Sequence, residues 1–125
     1  MTAPHPVSIR NAPSFAWQEV CEGWTFVSTG KLHVIQERMP HGASELRHVH
    51  RRTHQFYFIL HGGASVEIDG TEHALDRGDG IEIPPGSVHQ LRNATSAPLE
   101  FLVISTQPPR SDRTDLEEQP AGKRP

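Results

Sequence analysis

The sequence predicts an all-β domain, a sandwich or a barrel, and three observations carry this. Short runs rich in β-branched and aromatic residues follow one another along the chain. Gly, Pro or Asp-Gly follows most of these runs, so turns recur along the chain. Only Phe15–Cys21 has a pattern that would suit a short helix, and that pattern is weak. The 125 residues fit a single domain with one modest hydrophobic core.

Residues 1–14 contain Pro4, Pro6 and Pro13 with little apolar periodicity, and read as an irregular N-terminal arm. Trp24–Thr29 and Lys31–Met39 read as strands, the second stopped by Pro40 and Gly42. Glu45–His50 is a third. Gln55–Leu60 contains Phe56, Tyr57, Phe58, Ile59 and Leu60, a run fit for a strand buried on both faces. Ala64–Ile68 and Thr71–Leu75 flank Asp69-Gly70, a tight-hairpin signal because both central residues need positive φ. Gly80–Ile83, Val88–Arg92 and Leu99–Ser105 complete the set. The ordered domain is expected over residues 15–106. Residues 107–125 are Pro-rich and charged, too polar to offset the entropy of ordering, and read as a flexible C-terminal tail.

Composition bounds the function. The net charge is −3 with His neutral. No basic excess invites nucleic acid, and no polybasic run marks a membrane surface. No apolar run approaches the length of a spanning helix, and no signal peptide is evident. Cys21 is the only cysteine, so no intrachain disulfide forms, and it reads as a half-buried small residue. Together these features suggest a cytoplasmic setting.

The chemistry concentrates in two segments. His48 and His50 lie two apart on an expected strand and so share a face, with Leu46. Gln55 opens the next strand and shares its face with Tyr57 and Ile59. His89 follows the Pro84-Pro85-Gly86 turn. Three imidazoles and an amide make a metal site if the fold brings them together; imidazole suits Zn, Cu, Fe and Ni, while the amide oxygen is a weaker neutral ligand. His5, His41 and His73 read as surface residues, His33 and His61 as surface or pocket rim.

These spacings resemble those of the cupin superfamily. Its first motif is Gly, five residues, His-x-His, three or four residues, an acidic ligand, six residues and Gly. Gly42, His48, His50 and Gly62 fit, with Gln55 at the acidic position. Its second motif is matched by Gly78, Pro84, Gly86, His89 and Asn93. The resemblance covers about residues 25–105. It implies a double-stranded β-helix, a jelly-roll barrel with a divalent transition metal inside, held by His48, His50, Gln55 and His89. The ion could be Fe, Ni, Mn, Zn, Co or Cu. His54 is a competing ligand, although the six residues between Gln55 and Gly62 favour Gln55. Some cupins place Gln here, among them a small enzyme that helps open unsaturated uronates.

The departure from Glu to Gln leaves a divalent ion with its full charge, which favours an anionic or enolisable substrate. Tyr57 is a candidate catalytic residue on the face of Gln55, or else a core aromatic with its hydroxyl satisfied. Arg38, Arg47, Arg92 and Glu37 either reach a pocket mouth or lie on the surface. Trp24, Phe26 and Phe101 read as core or pocket wall, and Asn93 as a turn residue. Three classes follow: a metal-dependent oxygenase, lyase or isomerase on a small molecule; a non-catalytic ligand-binding or sensor barrel; and a metal-free sugar-nucleotide isomerase or epimerase, which the intact ligand set disfavours. The resemblance also implies a homodimer, and the arm from Phe15 to Trp24 could supply its contact.

Overall fold

The computed structural model describes residues 4–116. Eleven strands run in chain order: β1 (Ser14–Trp17), β2 (Cys21–Ser28), β3 (His33–Met39), β4 (His48–His50), β5 (Gln55–His61), β6 (Ala64–Ile68), β7 (Thr71–Leu75), β8 (Gly80–Ile83), β9 (His89–Asn93), β10 (Leu99–Ser105) and β11 (Arg113–Asp115). Six form one sheet in the order β1-β2-β3-β10-β5-β8, and five form the other in the order β11-β4-β9-β6-β7. The ladders are antiparallel. This is the expected jelly-roll, and β6, β7, β8 and β10 fall on their predicted residues.

Period-2 alternation sorts the side chains. β10 alternates buried and half-buried along its whole length. Its inward residues Leu99, Phe101 and Val103 pack with Tyr57, Ile59, Met39, Ile83, Leu91 and Val66 in one core. Each such side chain contributes roughly 1.5–3 kcal/mol over an exposed position. At the β6–β7 turn Asp69 and Gly70 have φ of 47° and 88°, the geometry an Asp-Gly hairpin requires. Gly62 after β5 has φ of 83°, and a Cβ there would lie 2.7 Å from the Pro98 carbonyl oxygen.

Four expectations are corrected. Phe15–Cys21 is not helical: β1 turns into β2 through Gln18 and Glu19, both at positive φ, and the two strands pair along Phe15↔Gly23 and Trp17↔Cys21. Tertiary pairing overrides a weak local pattern. β5 is not buried on both faces: Gln55, Tyr57 and Ile59 point inward while Phe56 is 39% exposed.

The third strand is regular only over His48–His50. Ser44 bridges Arg92 and His48 pairs with His89, so four steps on one strand face three on the other. The extra residue makes a bulge that turns Glu45 inward and leaves Leu46 exposed. Leu46 therefore does not share the histidine face.

The expected C-terminal tail is the fourth correction, for the part that is described. Pro109–Ser111 forms a 3-10 turn, and β11 then pairs with β4 in the register Arg113↔His50 and Asp115↔His48. Open backbone groups on the edge of β4 supply the partner that composition could not reveal. The remainder of that segment, 117–125, lies outside the described residues.

Candidate metal centre

Register builds the centre. His48 and His50 alternate onto the inner face of β4, and His48 stands opposite His89 of β9. Their rings are close: centroids lie 4.2 Å apart for His48–His89 and 5.1 Å for His48–His50. One ring nitrogen from each histidine lies within 4.8 Å of the others. All three side chains are buried.

The hydrogen bonds fix which nitrogen is free. His48 Nδ1 lies 2.8 Å from the Leu46 carbonyl oxygen and His89 Nδ1 lies 2.9 Å from that of Ser87. A carbonyl only accepts, so each Nδ1 carries the hydrogen and leaves its Nε2 with a lone pair. His50 Nδ1 lies 3.1 Å from Asp112 Oδ1, which orients the third ring the same way. Burial, more than any nearby charge, lowers His48 to about 3 and His89 to about 4, so both are neutral at pH 7. His89 Nε2 is buried with no hydrogen-bond partner.

Gln55 opens β5 beside this cluster. Its Nε2 donates to Ser105 Oγ at 3.1 Å, directly across the ladder, and its buried Oε1 has no partner. Neutral imidazole nitrogens and one orphaned amide oxygen are the donor set a divalent transition metal takes. The residues present therefore fit such an ion. His54 is turned outward, its ring against Glu82, and does not line the cavity.

The cavity beside the cluster has a volume of about 110 Å³. His48, His50, Gln55, Tyr57, Ile35 and Val103 line it from the barrel. Phe15 and Trp17 of β1 close one side. Gly23 makes room for the Phe15 ring, since a Cβ there would meet it at 2.2 Å. Two acids, Glu37 and Glu45, share the cavity, and Arg110 and Arg113 reach it from the C-terminal segment.

Tyr57 does not offer a free hydroxyl. It donates to Glu45 Oε2 at 3.0 Å, and Glu45 Oε1 also accepts the Leu91 N–H at 3.0 Å. Burial first, then the charges of Glu45 and Glu37, raises the Tyr57 hydroxyl well above its ordinary value. Of the residues whose reach was open, Glu37 faces the cavity. Arg38 stacks over Trp24 on the outer face and pairs with Glu22; Arg47 and Arg92 pair with Glu67 and Glu72 outside. Phe101 is core, and Asn93 caps its turn through the Met39 and Ala97 carbonyls and the Thr95 N–H.

Glu45, Asp112, Arg110, Arg113, Phe15 and Trp17 were not legible as site residues. Glu45 is hidden by the bulge. Asp112 and the two arginines sit in a segment whose composition resembles a tail, and only the alternation of Phe15 and Trp17 hinted at a strand. Asp112 is the anchor: it accepts from the N–H of Arg52 and Thr53 at 2.6 and 2.8 Å and from the Thr53 hydroxyl at 2.7 Å.

The Cupin domain family model matches residues 34–105, more than half of the chain. An uncharacterized protein of Methanocaldococcus jannaschii is 31% identical over 86 residues, 69% of each chain. Among solved structures, KdgF from Halomonas sp. superposes with a TM-score of 0.76 at 17% identity, covering 87% of this chain and 99% of that one. A sugar phosphate isomerase of the cupin superfamily from Silicibacter pomeroyi gives a TM-score of 0.73 at 24% identity, covering 84% of this chain and 77% of that one. At these identities the likeness to the solved structures is one of fold.

Proposed function

The chain belongs to the cupin family, and from that premise we propose that it is a metal-dependent enzyme acting on a small anionic or enolisable organic molecule. His48, His50, Gln55 and His89 are its metal ligands in this reading. The observation that carries it is the pair of buried, partnerless acceptors, His89 Nε2 and Gln55 Oε1, beside two further imidazoles. Such atoms cost free energy unless a ligand satisfies them. A divalent ion there would supply Lewis-acid polarisation of a substrate oxygen.

The chain's own residues supply the rest. Arg110 and Arg113 bring positive charge to the cavity and would orient an anionic group. Phe15 and Trp17 exclude water from one side. The carboxyl groups of Glu37 and Glu45 favour proton transfer, and so a lyase or isomerase over an oxygenase. The name of the Silicibacter pomeroyi neighbour, a sugar phosphate isomerase, agrees with that preference. No helix among the described residues is long and apolar enough to cross a membrane.

Elemental analysis of the purified protein tests the site. The wild type is expected to hold about one transition-metal ion per chain, and His48→Ala and His89→Ala to lose it. Equal metal in all three sinks the assignment. Metal well below one ion per chain in the wild type moves the reading to a ligand-binding barrel without catalysis.

We also propose a homodimer. Phe56, Ile104 and Val34 form a continuous row on the outer face of the six-stranded sheet, with Phe58 and Leu102 beside it. Two copies could cover this apolar face. Light scattering at micromolar concentration should give twice the chain mass; the mass of one chain removes the dimer.

A further inference from the structure

Two acids, Glu37 and Glu45, line the cavity together with His48, His50 and Gln55 and are not among the proposed ligands. Glu37 lies on β3, opposite Gly23 of β2 and Phe101 of β10, and lines the same cavity as His48, His50 and Gln55. Glu45 is committed to Tyr57 and the Leu91 N–H. Glu37, in contrast, makes no hydrogen bond or ion pair with any described residue. A carboxyl placed in a cavity without a protein partner is free to meet what enters it.

We propose that Glu37 is the acid–base residue of this cavity, exchanging a proton with the small molecule bound beside the histidine cluster. This rests on the reading of the cluster as a metal-dependent active site. Burial, then the negative charge of Glu45, raises Glu37 to about 8, while Arg113 pulls the other way. The groups around it fit a proton-holding carboxyl. Cys21 on β2 is pushed up to about 11 and stays neutral. Tyr57 on β5 keeps its proton, and His48 and His89 are neutral imidazoles. β10 presents Phe101 and Val103, β1 presents Phe15 and Trp17, and neither pair is charged. His50 is tied to Asp112, and Arg110 and Arg113 close the cavity.

Below pH 8, then, the carboxyl is a donor. A cation in the cavity favours its ionised form and makes it a base. As a base it takes a proton from a carbon next to a carbonyl, and the C–H electron pair moves into that carbonyl. Where that carbon also bears a hydroxyl, transfer of the hydroxyl proton to the former carbonyl oxygen and return of the abstracted proton to the former carbonyl carbon complete an isomerisation with atoms and electrons conserved.

The test reads the proton itself. Calorimetric titration of Zn²⁺ into the full-length protein at pH 7, in buffers of different ionisation enthalpy, counts the protons released. The wild type should release about one proton per ion more than Glu37→Gln, because the incoming cation ionises Glu37. His48 and His89 are already neutral and release none. Equal release by both proteins overturns the proposal.

Carboxyl ¹³C NMR of the metal-free protein separates this from failure of the metal site. The Glu37 signal, identified by its absence in Glu37→Gln, should titrate with a midpoint near 8. A midpoint near the ordinary 4.5 overturns the proposal even if Zn²⁺ binds. A midpoint near 8 without any Zn²⁺ binding removes the metal reading alone and leaves the proton-carrying carboxyl in place.

Discussion

The two flanks of the cavity are held in place by different means. On one flank, His48, His50, Gln55 and His89 are fixed by ladder register, with the His48↔His89 and Gln55↔Ser105 pairs directly opposed. On the other, the segment carrying Arg110 and Arg113 is fixed chiefly by one carboxylate. Asp112 gathers two backbone N–H groups, the Thr53 hydroxyl and His50, and three residues of β11 add an edge strand. The first flank shares the stability of the whole barrel. The second rests on fewer contacts, a handful of hydrogen bonds and a three-residue edge ladder. The difference places a histidine cluster set by ladder register beside a segment anchored largely by Asp112, and Asp112 joins the two through His50.

Asp112→Ala breaks the comparison at its weakest point and has the larger expected effect. Burial alone would raise the Asp112 carboxyl, but bonds from Thr53, the Arg52 and Thr53 N–H groups and His50 outweigh it and hold it at about 2. A depressed carboxyl stabilises the fold above its unfolded value of 3.8, and that contribution is lost as pH falls through 2. At neutral pH the variant should lose about 2 kcal/mol in urea unfolding, and the loss should vanish in acid. A stability equal to wild type at pH 7 would show that the segment is held by something other than its aspartate.

Gln55→Glu sharpens the other flank with a smaller effect. A carboxylate offsets part of the ion's charge, so Zn²⁺ affinity should rise about tenfold. Counting ligands alone makes the site strongly cationic. The structure adds Glu37 and Glu45 to the same cavity, and they temper that charge. Unchanged or weaker Zn²⁺ binding by the variant would mean that the acid wall already supplies the compensation.

Much of this was legible in the chain. Alternation, Asp69-Gly70 and the glycines gave strands that the structure places within a few residues, because those signals act locally. The spacing of His48 and His50 put them on one face for the same reason. Phe15–Cys21 failed because a seven-residue pattern is weaker than pairing with a neighbouring strand. Leu46 failed because a bulge depends on the partner strand, which the local sequence does not encode.

By itself the sequence determined the jelly-roll, the family and which side chains could serve as ligands, since strand period and motif spacing are properties of short stretches of chain. Only the tertiary structure decided what faces those ligands. Glu37, Glu45, Phe15, Trp17, Asp112, Arg110 and Arg113 come from segments far apart in sequence. Their meeting depends on sheet order, one bulge and an edge strand, and each of these is settled by the pairing of distant backbones.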